Sequence, residues 1–192
     1  MAFRPLSRFG ARLLSIVLLA GCARDGASPV EPTAVPPKPN AALLGLLPVR
    51  GVTRAVPLAK DISVSAVIGP KGGTISIPEA GLTLVVPANA VQANTAFKAT
   101  AIAGTLVAYE FEPHGTTFAV PLRFTQDLRK TSLVGVLTAP LMDGAYFTDR
   151  SKLNDASGLA FVSELRPVVV NLLKSQASFP IDHFSGYLIS WH

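Results

Sequence analysis

The sequence predicts an all-β protein, with a single antiparallel β-sandwich as its folded body. From residue 61 onward, short segments alternate between apolar and polar residues with a period of two, as in residues 62–67 and 82–86, and this period is typical of strands with one buried face. Turn-forming pairs such as Gly72-Gly73 and Asp143-Gly144 occur between such segments. No helical pattern of about 10–15 residues alternates with the strands, so a parallel α/β sheet is not expected.

The first 21 residues have the pattern of an export signal. Arg4, Arg8 and Arg12 form a basic start, and residues 13–19 are an apolar run that is too short to remain in a bilayer as a spanning helix. These arginines also account for much of the net charge of +5, because without them 14 basic and 12 acidic residues remain, a net charge of +2. The high isoelectric point therefore does not indicate a nucleic-acid-binding protein.

The export signal ends with Leu19-Ala20-Gly21-Cys22, and this tetrapeptide resembles the lipobox of bacterial lipoproteins. The resemblance implies a diacylglycerol thioether on Cys22, cleavage between Gly21 and Cys22, and a location in the bacterial cell envelope. Cys22 is the only cysteine, so an intramolecular disulfide is excluded. Two or more acyl chains anchor a protein stably, and Ala23 in place of an aspartate favours the outer membrane over the inner. The alternative is a plain signal peptide with a chance cysteine, or a free core cysteine.

Residues 22–60 are predicted to be the lipidated cysteine and a flexible tether, followed by the sandwich at residues 61–192. Five prolines between residues 23 and 40 favour an extended polyproline spacer of about 3 Å per residue, and this segment has few large apolar side chains to bury. Residues 41–60 leave two interpretations open. Their apolar stretch is either a short segment that docks against the domain or a sticky part of the linker.

About ten short strands are predicted in the domain, and their spacing is typical of a β-sandwich of roughly 130 residues. They cover residues 62–67, 74–77, 82–86, 96–103, 106–112, 118–125, 133–138, 159–164, 168–173 and 187–191. Residues 87–91 and 128–133 are expected to form single helical turns. Pro121 lies inside one of these strands and requires an edge or a bulge there, because proline has no N–H to donate.

Three blocks of sequence follow one another in the predicted domain. They are Gly72-Gly73 with the alternation of residues 82–86 closed by Pro87, the spaced pattern Phe111-x-Pro113-x-Gly115-x-x-Phe118-x-x-Pro121, and His183-Phe184-Ser185-Gly186-Tyr187. Together they resemble the ZU-five domain, a β-sandwich of zonula-occludens proteins, netrin receptors, ankyrins and some bacterial envelope proteins. The resemblance covers about residues 62–191 and implies the same sandwich fold, although residues 140–180 match no motif of the family.

The ionisable residues form no recognisable catalytic or metal-binding motif in the sequence. His114, His183 and His192 lie far apart and lack the spacing of a zinc site, so no metal and no cofactor are expected. Glu110 and Glu112 project from the same face of a predicted strand, which would suit acid–base chemistry, but a solvated strand face is the commoner explanation. An enzyme that acts on an external substrate is therefore not expected.

The tripeptide His183-Phe184-Ser185 carries a more specific hypothesis. In ZU-five relatives among death-domain adaptors and inflammasome sensors, this tripeptide cleaves its own backbone. The resemblance implies that the Ser185 hydroxyl attacks the carbonyl of Phe184 while His183 assists proton transfer, and that a strained peptide drives the reaction. Seven residues follow Ser185 in this chain, so cleavage would free only a short strand. The alternative is a closing core strand, in which Phe184 is packed and the polar side chains make hydrogen bonds.

These observations predict a lipid-anchored cell-envelope module that mediates interactions or has a structural role. Its expected partners are the membrane, through the lipid on Cys22, and an envelope protein. Two other functions stay open: a self-processing domain that is cleaved between Phe184 and Ser185, and a binder of a small apolar or glycan ligand.

Overall fold

The computed structural model describes residues 47–133 and 141–191, and these residues form an all-β fold. Strands joined by turns make up most of this part of the chain, with short 3-10 turns at Leu128–Lys130 and Arg150–Lys152. The predicted all-β class is therefore confirmed. The strands in chain order are β1 Leu47–Gly51, β2 Thr53–Leu58, β3 Ile62–Ile68, β4 Gly73–Ile77, β5 Leu82–Val86, β6 Thr95–Ala101, β7 Gly104–Leu106, β8 Ala108–Glu112, β9 Thr117–Asp127, β10 Met142–Phe147, β11 Leu153–Asn154, β12 Leu159–Val162, β13 Glu164–Pro167, β14 Val169–Asn171, β15 Gln176–His183 and β16 Gly186–Trp191.

The strands pair into two large antiparallel sheets and one small pair. The first sheet has nine strands in the order β11-β12-β1-β16-β8-β6-β3, and β10 joins it by pairing with both β16 and β13. The second sheet has five strands in the order β14-β15-β9-β5-β4. The small pair consists of β2 and β7.

The two large sheets share one hydrophobic core. Apolar residues alternate with polar ones along strands of both sheets, and the buried side chains meet in a single cluster, whose removal from water is the main favourable contribution to folding. The larger contributions of the first sheet are Phe97, Tyr109, Phe111, Tyr187 and Ile189, and those of the second are Ile75, Leu82, Leu84, Phe124 and Phe179. The rings of Phe124 and Phe179 stack with their centroids 4.5 Å apart, so aromatic side chains fill this core.

Strand β16 is buried on both faces and is hydrogen-bonded to three other strands. It pairs with β10 along its whole length and also with β8 and β1. Tyr187 and Ile189 belong to the main core, whereas Leu188 belongs to a second cluster that also contains Phe147 and Val162. Because both faces are covered, the strand is a nearly continuous apolar run in sequence.

Residues 47–58 belong to the folded body, and this corrects the predicted start of the domain at residue 61. The backbone of β1 pairs with β12, from Leu47↔Val162 to Arg50↔Leu159, and Val52 is buried in the main core. Of the apolar stretch for which two interpretations stay open, only Leu47 lies in the described residues, and its backbone pairs with Val162. Pairing satisfies backbone groups that a free linker would leave to water. Residues 41–46 lie outside the described part of the chain.

Most of the other predicted strands are confirmed, usually with shifts of one or two residues at their ends. Strands β10 and β15 were not predicted, and residues 87–91 form a turn that is not helical. The helical turn expected within residues 128–133 is the 3-10 turn Leu128–Lys130. Of the strand predicted at residues 133–138, Leu133 lies in a turn and the others lie outside the described residues.

Two backbone positions have the conformation that their residue types favour, and the irregularity predicted at Pro121 is confirmed. Gly115 has a φ of 76°, a conformation that glycine adopts without steric cost. Pro121 lies in β9 next to an irregularity, since the register between β9 and β15 shifts between Ile181 and His183.

Candidate functional site

The predicted site residues fall into two groups. Gly21 and Cys22, the expected cleavage and lipid-attachment residues, lie outside the described residues. His183, Phe184 and Ser185 lie where the chain leaves β15 of the second sheet and enters β16 of the first. The tripeptide therefore forms a covalent connection between the two large sheets.

Phe184 is a central residue of the main core. Its ring lies 4.8 Å from that of Phe118 and 5.0 Å from that of Phe97, both in edge-on contacts, and it stacks on Phe111 at 5.5 Å between centroids. Its backbone N–H donates to the carbonyl of Thr116 at 2.8 Å. The predicted packed role of Phe184 is thus present in the structure, and the contacts hold its backbone in a defined position.

Ser185 is buried, and its hydroxyl lies near backbone carbonyls rather than near an imidazole. The Oγ atom is 3.4 Å from the carbonyl oxygens of both Phe147 and Thr148. The carbonyl of Ser185 accepts a hydrogen bond from the N–H of Phe111 at 2.9 Å. These contacts attach the start of β16 to β8 and to the end of β10.

His183 lies at the end of β15, and both of its ring nitrogens have partners. Nε2 is 3.3 Å from Oε1 of Glu164, and Nδ1 is 3.3 Å from the hydroxyl oxygen of Tyr187. The Tyr187 hydroxyl donates to the carbonyl of His183 at 2.8 Å, and the ring of Tyr146 meets the imidazole edge-on at 4.7 Å. His183 is therefore fixed between β13, β10 and β16.

An ion network surrounds His183, and sequence reasoning did not predict it. Arg166 of β13 donates to both carboxylate oxygens of Asp182, at 2.7 and 3.1 Å, and to Glu164 at 2.7 Å. Two parallel hydrogen bonds fix the geometry of an arginine–carboxylate pair. The network joins β13 of the first sheet to β15 of the second, and burial beside it raises the pKa of Tyr187 well above its ordinary value of 10.0. Glu164 and Arg166 are two positions apart on one strand, and this spacing alone gave no signal for a partner near residue 182.

The resting geometry of the tripeptide serves packing and hydrogen bonding. The imidazole of His183 contacts Glu164 and Tyr187, while the Ser185 hydroxyl faces two other carbonyls, so the structure does not join these two side chains by a hydrogen bond. One contact does match what self-cleavage would use. The backbone N–H of Gly115 donates to the carbonyl oxygen of Phe184 at 3.0 Å, and such a donor stabilises the oxyanion that forms when a carbonyl is attacked.

Glu110 and Glu112 each bind a cation. Arg150 contacts Glu110 at 2.6 Å and Asp61 at 2.6 Å, and Lys98 contacts Glu112 at 2.9 Å. The hydrogen bond from Lys98 lowers the pKa of Glu112 below its ordinary value of 4.5. Both carboxylates therefore lie in ion pairs on the same strand, β8.

The described histidines, His114 and His183, do not belong to a metal-binding group. His114 lies exposed in the turn after β8, His183 lies in the ion network, and His192 lies outside the described residues. Within residues 47–133 and 141–191, no group of three or more His, Cys, Asp or Glu side chains has a metal-binding arrangement.

A second polar cluster is buried inside the main core, around Arg54. The guanidinium donates to the carbonyls of Ala80 and Ala108 and to the hydroxyl of Tyr109, at 3.2–3.3 Å, and lies over the Tyr109 ring at 5.1 Å. Gln126 adds a hydrogen bond to the carbonyl of Ala80 at 2.9 Å. Arg54 is only 5% exposed, and its Nε–H has no hydrogen-bond partner. The sequence analysis does not predict this buried cluster, because it assigns residues 22–60, which include Arg54, to the tether.

A surface cleft of about 560 Å³ lies beside β1 and β2. Half-exposed Trp191 lines it together with Arg50 and Asp155. The Oδ1 atom of Asp155 accepts hydrogen bonds from the backbone N–H groups of Thr105 and Leu106, at 2.7 and 2.8 Å, so this carboxylate mainly fixes a loop to β7. This cleft places the aromatic ring of Trp191 beside polar side chains, so it is the surface on which the glycan-binding alternative can be tested.

Comparison with known proteins gives no relative from which a function could be transferred. No protein-family model matches this chain, and no curated protein does. Among the residues that the structure describes, none forms a helix that is both long and apolar enough to cross a bilayer.

Proposed function

We propose that the protein is a lipid-anchored module of the bacterial cell envelope, held at the outer membrane by acyl groups on Cys22 and folded as a β-sandwich similar to the ZU-five domain. The observation that carries this proposal is the position of Leu19-Ala20-Gly21-Cys22, directly after a basic start and a short apolar run. The 24 residues between Cys22 and Leu47 then provide a proline-rich spacer before the first strand.

The packing of the core supports the proposed sandwich. Phe111 and Phe118 come from the middle sequence block and Phe184 from the last, yet their rings meet in one cluster with centroids 4.8 and 5.5 Å from that of Phe184. The middle block thus supplies two rings and the last block one ring to the same part of the core. Two sheets around a shared core are the arrangement that a sandwich requires.

Sheet edges offer the contact surface for an envelope partner. In the described part of the chain, β3 lies at one end of the first sheet, opposite β11, and β14 lies at one end of the second sheet, opposite β4. Unpaired N–H and C=O groups on an edge can accept an added strand. Val67 on β3 is largely exposed, which gives that edge an apolar contact as well.

Membrane fractionation after Cys22→Ser tests the anchor. We expect the wild-type chain in the membrane fraction, with acyl groups on the N-terminal peptide by mass spectrometry, and the Cys22→Ser variant in the soluble fraction. Cys22→Ser combined with Ser28→Cys is the matched control, because it restores a thiol outside the lipobox and should also remain soluble. An unchanged membrane-bound fraction for Cys22→Ser would refute the proposed anchor. If the anchor is confirmed, crosslinking on native membranes would identify the envelope protein that binds this module.

Self-cleavage between Phe184 and Ser185 is a second candidate, and the hydrogen bond from Gly115 to the Phe184 carbonyl favours it. In this reaction the Ser185 hydroxyl would attack that carbonyl, the amide would become an ester, and water would hydrolyse the ester. Intact mass under denaturing conditions tests it, with Ser185→Ala as the uncleavable comparison. A single intact species, before and after treatment with hydroxylamine, would exclude cleavage.

A further inference from the structure

The hairpin between β14 and β15 presents two leucines to solvent at its tip. Leu173 is 101% exposed and Leu172 is 54% exposed, and Val169 on the same hairpin is 69% exposed. We call Leu172, Leu173 and Lys174 the leucine tip. Isolated exposed apolar residues are common, whereas contiguous exposed apolar residues often belong to contact surfaces.

The leucine tip is held in place by hydrogen bonds. The Asn171 side chain accepts from the N–H of Lys174 at 3.0 Å, and the N–H of Ser175 donates to the carbonyl of Leu172 at 3.1 Å. Ser175 adopts a φ of 52° and accepts from the N–H of Leu128 at 2.8 Å. The turn is therefore formed before any partner binds, and its geometry directs both leucines outward.

Three basic residues lie in the tip or in the neighbouring 3-10 turn. The contact between Ser175 and Leu128 places the 3-10 turn with Arg129 and Lys130 next to Lys174, and these three side chains are exposed. The opposing charges at this end of the second sheet are Asp127, which is paired with Arg129 at 2.9 Å, and Glu79 in the β4–β5 turn. Apolar side chains can enter the boundary between headgroups and acyl chains, and basic side chains near the surface are attracted to anionic headgroups.

We propose that the leucine tip is a second, reversible membrane contact that enters the interface of the phospholipid bilayer carrying the anchor. This inference rests on the proposed lipid anchor. The spacer of 24 residues spans up to about 70 Å when extended, so it allows the tip to reach the surface. A phospholipid surface is favoured over a second copy of the chain because acylation would hold the tip within reach of lipid at all times, and because the surrounding cations match anionic headgroups.

An environment-sensitive dye on the tip tests this contact in the lipidated protein. Leu173→Cys provides a reactive thiol while Cys22 carries its lipid, and an NBD dye is attached there after reconstitution into phosphatidylcholine–phosphatidylglycerol vesicles. We expect its emission to shift to shorter wavelength and to be quenched by nitroxide-labelled lipids. Val56→Cys is the matched control, because Val56 is 76% exposed on β2 and should report water. A Leu173 probe that remains as solvent-exposed as the Val56 probe, in protein that sediments with the vesicles, overturns the proposal.

Two further outcomes separate the leucine tip from the anchor. If the shift depends on protein concentration and occurs without vesicles, the tip binds a second copy of the chain, which also overturns the proposal. If the N-terminal peptide carries no acyl groups, the proposed function fails, and a Cys22→Ser, Leu173→Cys chain, labelled at residue 173 alone, is then mixed with vesicles. A shift on mixing supports the tip independently of the anchor, and its absence overturns it.

Discussion

Replacing Arg54 tests how the protein tolerates a buried cation without a carboxylate partner. No ion pair to this guanidinium exists among the described residues, and its Nε–H is unpaired. Its acceptors do not depend on it, since the carbonyl of Ala80 also binds Gln126 and the carbonyl of Ala108 also binds the N–H of Ile102. Removal of the charge therefore leaves few polar groups without a partner, provided that the volume is kept.

The opposing contributions of Arg54 nearly cancel. Its three hydrogen bonds are long, 3.2–3.3 Å, and stabilise by about 1 kcal/mol each. The contact with the Tyr109 ring adds about 1–2 kcal/mol. Against these stand the desolvation of the guanidinium, which costs several kcal/mol, and the unpaired Nε–H, which costs about 1–3 kcal/mol. Arg54→Met should thus change the free energy of unfolding by only about −1 to +2 kcal/mol.

Urea-induced unfolding, followed by circular dichroism, measures this difference. Arg54→Ala removes the charge and also leaves a cavity, so we expect a loss of about 2–4 kcal/mol, well beyond the effect of Arg54→Met. Arg50→Met is the control on the exposed neighbouring strand and should stay within about 0.5 kcal/mol of wild type. An Arg54→Met variant as unstable as Arg54→Ala would refute the reasoning, because the guanidinium itself would then be strongly stabilising.

Three further predictions concern the closing strand and the ion pairs. Phe184→Leu should lower the free energy of unfolding by about 1–2 kcal/mol and Phe184→Ala by about 3–5 kcal/mol, measured by thermal denaturation; equal effects would contradict its packed position. Gly186→Ala places a methyl group against an aromatic ring of β10, so we expect a loss of about 1–3 kcal/mol in the same assay, and an unchanged midpoint would contradict the packing. The pKa of Asp61 lies below its ordinary value of 3.8, because the N–H of Ala103 and then Arg150 stabilise the carboxylate. Its contribution to stability is complete above the unfolded pKa and is lost as pH falls through the folded pKa, so stability should fall below about pH 4, and Arg150→Gln should flatten that decline in urea titrations.

The alternation of apolar residues was enough to predict the all-β class and most strands, but two important strands were missed for identifiable reasons. β15 alternates well, with Ala177, Phe179 and Ile181 buried, but it contains Pro180, and a proline is unfavourable inside an interior strand. The structure accommodates this proline because β14 pairs with β15 only as far as Ser178, so the strand has a free side at residue 180. β10 contains Asp143-Gly144, a pair that is typical of a turn. In the structure, Gly144 has no side chain, and this allows the Phe179 ring to pack against β10.

The tertiary environment of the candidate site could not be read from the sequence. The blocks around Phe111, Phe118 and Phe184 were recognised, but their meeting in one aromatic cluster depends on the pairing of strands far apart in the chain. The same is true of the ion network, since Arg166 and Asp182 come from different sheets. No sequence pattern marks Arg54 as buried, and a buried arginine is rare unless it is paired.

The position of β16 determines how self-cleavage would appear in an experiment. A cut between Phe184 and Ser185 would separate β16 from β15, but β16 would still be hydrogen-bonded to β10, β8 and β1, with Tyr187, Leu188 and Ile189 fully buried. The released peptide should therefore remain bound in native gel filtration. It should separate only in denaturant, where the two masses together exceed the intact mass by one water. A cleaved protein that loses this peptide without denaturant would contradict the central position of β16. A cleaved protein that retains the peptide should unfold more readily than the uncleaved protein, because β16 is no longer covalently connected to β15.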